Sequence, residues 1–214
     1  MLNSYIKITL LCSFFFLTND AYSQEAHFKT QIKALDVGVY DYSKVKKKSY
    51  KIFYNQEADQ EFEKILMEDD GFNEIFGVFE AVDSVGNKVI CRENEAFEYC
   101  PKLGYIIITG GHGYIFVYDI KTKKEICSNP STYVYSPSKK YRFSSLQNDG
   151  IQYFLEEKVG DEYICHHIYF SSNIHGVYWV NEETFYYLRD RQKDDGTTYQ
   201  MAYSFTIQPK TAGK

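Results

Sequence analysis

The sequence has little of what marks an enzyme or a membrane protein. No C-x-x-C pair and no Cys/His ligand spacing is present, so no zinc site is expected and no metal or other cofactor is assigned. No G-x-S-x-G nucleophile turn occurs, which removes the support that Gly110-Gly111-His112-Gly113 would need to act as an oxyanion loop. Nothing approaches the ~20 apolar residues of a membrane-crossing helix. The formal charge of −5 gives no global attraction to nucleic acid, and no nucleic-acid motif is seen. Only four prolines are present, against 21 Tyr and 16 Phe. Tyr and Phe suit a pleated, half-buried surface, so the composition points to strands.

What is present is a unit written twice. Residues 99–127 read YCPKLGYIIITGGHGYIFVYDIKTKKEIC, and residues 135–165 read YSPSKKYRFSSLQNDGIQYFLEEKVGDEYIC. Tyr99, Pro101 and Tyr105 fall on Tyr135, Pro137 and Tyr141, and Cys127 falls on Cys165. Self-similarity at this period is the signature of a repeat architecture. Each unit is short aromatic and aliphatic runs broken by Gly, Pro, Asn and Asp, the texture of antiparallel hairpins. Partial matches extend the pattern to four units, about 37–95, 96–132, 133–175 and 176–214, each expected as a four-stranded sheet, with Tyr40–Tyr54 as an opening hairpin. Glu57–Asp69 breaks the pattern: Phe62, Ile65 and Leu66 sit at i, i+3 and i+4, predicting an amphipathic helix lying on the sheets. The last unit lacks an outer strand, and Phe28–Leu35 is expected to supply it.

Residues 1–23 have the pattern of a signal peptide. Lys7 precedes the apolar run Ile8–Leu17, and Ala21-Tyr22-Ser23 leads to a cut before Gln24. The remaining 24–214 is expected to form one domain, exported to the periplasm or beyond the cell, with no stable membrane span after cleavage. Four cysteines remain: Cys91, Cys100, Cys127 and Cys165. An even count in an exported chain allows two disulfides, Cys91–Cys100 being the pair to seek first. Three of the four occupy equivalent places on successive units, however. Facing sheets lie about 10 Å apart, whereas a disulfide needs Cα atoms within about 7 Å. The expectation is therefore buried thiols in a small apolar slot.

YSPSKKYRFSS resembles the S-P-D-G-K-x-[IV]-x-[FY] turn of TolB-type and WD-like β-propeller repeats, and GYIFVYDIKTKKEI resembles the strand pair that follows it. The turn here reads Pro-Ser-Lys-Lys where that family has Pro-Asp-Gly-Lys. The resemblance spans about 37–207 and implies an all-β, propeller-like stack of meander repeats acting as a binding scaffold. It carries over no catalytic residue.

In such a stack the turns between second and third strands gather at one end, bringing together Asp70, His112, Asp149 and Asp195. Lysines, Lys44, Lys46, Lys139 and Lys140 among them, gather at the other. The acidic turns are candidate ligand-binding residues, although Asp-Gly and Asn-Gly pairs are also ordinary turn chemistry. Trp179, with Tyr178 and Tyr186, is either an aromatic patch for a sugar or core. Of His166 and His167, adjacent on a strand, at most one can join His175 at a metal, because neighbouring side chains point to opposite faces. Glu156-Glu157 and Glu182-Glu183 fail as catalytic dyads for the same reason. The functional expectation is an exported non-catalytic binding module with a protein or glycan partner. A hydrolase with a pocket at the acidic turns, and a secreted inhibitor or immunity-type protein, are the alternatives.

Overall fold

A computed structural model describes residues 28–46, 50–66, 70–82, 84–110, 115–148 and 150–209. The proposed signal segment, His112 and Asp149 lie outside them. Three antiparallel sheets and a hairpin account for the strands. The first sheet is a meander of β5 (Glu95–Cys100), β6 (Tyr105–Thr109), β7 (Ile115–Asp119) and β8 (Lys124–Ile126), with the two-residue β2 (Phe53–Tyr54) beside β5. The second is β9 (Val134–Tyr135), β10 (Tyr141–Gln147), β11 (Ile151–Val159) and β12 (Glu162–Ile168). The third is β13 (Ile174–Trp179), β14 (Thr184–Gln192) and β15 (Thr198–Pro209), completed by β1 (Phe28–Ala34). That borrowed strand runs antiparallel to β15, Phe28 opposite Pro209 and Ala34 opposite Tyr203. No ring or barrel closes among the described residues.

Alternation along the strands builds the layers. In β6, Ile106 and Ile108 face one side while Tyr105 and Ile107 face the other. The first side is covered by α1 (Asn55–Leu66) and α2 (Asp70–Phe76), which bury Ala58, Phe62, Phe72 and Phe76 against Tyr99. The second side meets Leu146 and Phe154 of the second sheet. The opposite face of that sheet presents Tyr141, Phe143, Tyr153 and Leu155 to Phe185, Tyr187 and Phe205 of the third. The far face of the third sheet is covered by Tyr40, packed on Tyr178 and Leu188. The order is helices, sheet, sheet, sheet, N-terminal segment.

The stretch 37–95 departs from the repeat. It forms no four-stranded sheet: Tyr42–Lys44 is a single 3-10 turn, β2 joins the first sheet, and only the hairpin of β3 (Phe79–Val82) and β4 (Lys88–Cys91) stands alone. Its apolar residues go to the helices instead. Asp70-Gly71, expected as a hairpin turn, lies in the first turn of α2. Asp59 of α1 ties helix to sheet, accepting from the Ala96 amide at 3.0 Å and pairing with Arg92.

The cysteine expectation is overturned for one pair: Cys127 and Cys165 are disulfide-bonded, their Cα atoms 6.6 Å apart, while Cys91 and Cys100 are free. The 10 Å spacing applies to strands inside two facing sheets. Cys127 lies one residue past β8, in the crossover that enters the next layer. There Ser128 already touches Glu156 of β11, and the Asn129 amide donates to the Ser145 carbonyl. The crossover therefore occupies the space between sheets, within reach of β12.

Candidate functional site

A concavity of about 730 Å³ lies between the second and third sheets, roofed by Ser43–Lys46. Two local features open it. The β9 strand pairs with only Arg142 and Phe143, because Pro137 and the turn around Lys139 (φ 63°) follow at once. Across the gap, β13 carries a bulge between His175 and Tyr178. At the bulge, Gly176 has φ +62°, and a Cβ there would lie 2.3 Å from the Tyr40 hydroxyl, so no other residue fits without displacement. That hydroxyl donates to the Gly176 carbonyl, which fixes the bulge from outside, and burial pushes the Tyr40 pKa up to about 12.

Trp179 closes one end. Its Nε1 donates to the Val134 carbonyl at 2.8 Å, and its ring stacks on Tyr141 with 12° between the planes. Tyr178, one residue back, is buried on the opposite face against Tyr40 and Tyr186, so the three aromatics form no single patch. Tyr133 and Tyr135 border it on the second sheet, but their rings turn to the other face, Tyr133 over Arg142 and Tyr135 against Tyr163. Burial, then the nearby Glu156 carboxylate, push the Tyr133 hydroxyl up to about 12, so it stays neutral. Lys44 and Lys46 are at the roof, Lys44 with its Nζ 5.8 Å from the Tyr178 ring centre. None of the eighteen described lining residues is Asp or Glu. In a chain of net charge −5, this leaves a concave surface whose only formal charges are positive. It was not legible in the residue pattern, since a two-residue β9 and a bulge are matters of register.

The acidic turn residues are not brought together among the described residues. Asp195 caps its own turn, accepting from the Thr197 amide at 2.8 Å, and that bond holds its carboxyl below the usual range. Gly196 beside it has φ +83°, so this pair is turn chemistry. The backbone of Asp70 is helical, His112 and Asp149 lie outside the description, and Gly150 borders a second depression of about 530 Å³ beside His167 and Tyr169. His175 lines the first cavity, its Nε2 3.0 Å from the Gln200 amide, which also reaches Asp190. Among the described residues the one group with metal-ligand geometry is Cys127, Glu156 and Cys165, and its sulfurs are consumed by the disulfide. The Glu pairs separate as strand alternation requires. Glu156 is buried against Arg142, and Glu157 faces Lys140 at 3.7 Å.

No family model, no curated protein and no solved structure matches this chain. No described helix is long and apolar enough to cross a membrane.

Proposed function

We propose that the chain is an exported, non-catalytic binding module on a propeller-like scaffold, and that its cleft takes an acidic oligosaccharide. The observation that carries the reading is the cleft lining, which includes Phe143, Tyr153 and Trp179 and two lysines but no Asp or Glu among the described residues. Concave sites of this size hold ligands through apolar and aromatic walls, with a few polar groups fixing orientation. Rings offer flat faces to a sugar, and unopposed lysines favour an anionic substituent. Export is supported by the N-terminal pattern and by the Cys127–Cys165 bridge, since disulfides persist in oxidising compartments. The propeller-like reading is supported by the meander that recurs in three successive sheets, the last completed by the chain start.

The single tryptophan of the chain, Trp179, lines this cleft and serves as the probe. Titration with uronic-acid oligosaccharides should shift its emission saturably, and neutral oligosaccharides of equal length should bind more weakly. Replacing both Lys44 and Lys46 by Ala should weaken the acidic ligand about tenfold, roughly 1.4 kcal/mol. No emission change with any acidic oligosaccharide, or equal affinity in the double variant, sinks the reading.

A further inference from the structure

Arg189 is a buried cation with no carboxylate beside it among the described residues. It lies on β14, opposite Ile174 of β13, and is only 6% exposed. Its Nη1 reaches the Ser171 hydroxyl at 3.2 Å, and its guanidinium carbon lies 5.1 Å from the centre of the Tyr203 ring. The Nε is sealed from solvent and has no acceptor. Burying an ion uncompensated is among the costliest arrangements a fold can hold.

Two other buried side-chain polar atoms are left without partners among the described residues. They are the Tyr187 hydroxyl, two residues back on the same face of β14, and the Ser172 hydroxyl, next in the chain to Ser171. Arg191, two residues on, adds a second cation. Its Nε and Nη2 donate to the Tyr203 hydroxyl at 3.1 and 2.9 Å. Burial pushes Tyr187 up to about 12, with Arg189 and Arg191 opposing, so its hydroxyl keeps its proton and can donate. Every one of these groups has a hydrogen to give, and no acidic side chain is among them.

We propose that Arg189, Tyr187 and Ser172 form a buried site for an oxyanion, a phosphate or carboxylate group, in the seam between the second and third sheets. The guanidinium supplies charge and an N–H in its plane, and the two hydroxyls supply further donors. Charge-assisted bonds of this kind are about twice as strong as neutral ones. None of the three residues lines the 730 Å³ cleft, so the site stands whether or not the cleft binds a sugar.

The test is the melting temperature of the mature chain in phosphate, in acetate and in chloride at matched ionic strength, with affinities measured calorimetrically. Either phosphate or acetate should raise the melting temperature saturably above chloride, and the one that does identifies the group. Arg189→Met should abolish the increment. It should fold at least as well in chloride, because it removes an unpaired buried charge. Should it fail to fold, Ser172→Ala and Tyr187→Phe carry the test, each expected to weaken the oxyanion about tenfold. Shifts no larger than those in chloride, or equal shifts in the wild type and all variants that fold, overturn the proposal.

Discussion

The two seams between the sheets are built on opposite plans. Between the second and third sheets the contact is aromatic: within the third sheet Phe185 stacks on Phe205 at 4.7 Å and Tyr187 on Tyr203 at 5.6 Å, and Phe143 of the second lies 5.2 Å from Phe185. Between the first and second sheets, charge and hydroxyls run through the middle. Glu156, 1% exposed, accepts from Ser128 at 2.6 Å and Ser144 at 2.7 Å and pairs with Arg142 through two nitrogens. The Arg142 guanidinium is itself held between the rings of Tyr133 and Tyr163, at 3.7 and 3.9 Å. Glu98, also buried, accepts from Tyr105 and from Asn129 at 2.9 Å. An apolar seam is stabilised in proportion to area and tolerates exchange of like for like. A polar seam holds only while each group keeps its partners. Arg189 stands out because it lies in the aromatic seam with no carboxylate beside it among the described residues, whereas the buried charges of the other seam are answered.

The largest effect should come from breaking the polar seam. Arg142→Met leaves Glu156 buried and unpaired, and denaturant unfolding should show a loss of about 3–5 kcal/mol. Phe185→Leu in the aromatic seam should cost less than about 1.5 kcal/mol by the same measurement. Equal losses at the two positions would erase the contrast. Next comes the covalent link. Replacing Cys127 and Cys165 by Ser opens a cross-link between residues 38 apart and should cost about 2–4 kcal/mol. Loss of the same size on reduction of the wild type, read by the same unfolding curve, would assign it to the bond instead of the substitutions.

The smallest effect belongs to Glu182, which pins the sheets from outside. Its carboxylate accepts from the Ser138 amide at 3.0 Å and hydroxyl at 2.7 Å, and from Ser136. Partial burial raises its pKa, but the serine bonds outweigh this and hold it below the ordinary 4.5. A depressed carboxyl contributes stability above its unfolded pKa and loses it as pH falls through the folded value. Wild type should therefore exceed Glu182→Gln modestly at neutral pH, with the gap closing below about pH 4.5. A gap that widens in acid would reverse the assignment.

The meander was legible in the sequence because turn residues announce themselves: Pro137, Gly150 and Gly196 each fall between paired strands. The strand lent by the chain start was legible as well, since Gln208–Lys214 has no apolar run to fill the place. Other features were hidden by the physics of register. The Arg142–Glu156 pair follows from the turn after Gln147, which sets Gln147 against Ile151 and hence Arg142 against Glu156. Reading Glu156 only against its neighbour Glu157 missed that cross-strand partner. The disulfide was missed because the repeat assigns Cys127 to a strand slot, whereas the residue has already left the sheet. The helices were half visible: Phe62 marked α1, whereas Phe72, Ile75 and Phe76, at the same i, i+3, i+4 spacing, were passed over because Asp70-Gly71 reads as a turn. As for the candidate site, among the described residues Trp179 lines the cleft as expected, and Asp195 is spent on its own turn.

The pairing of Phe28 with Pro209 sets the beginning of the described chain beside its end. Covalently, then, the third sheet is the one element interrupted by the termini, and its β1–β15 edge is a seam in the sequence but not in the architecture. Joining the two ends through a short linker and opening the chain at an exposed turn such as Lys193–Thr197 would rearrange the order of synthesis while leaving every layer with the same neighbours.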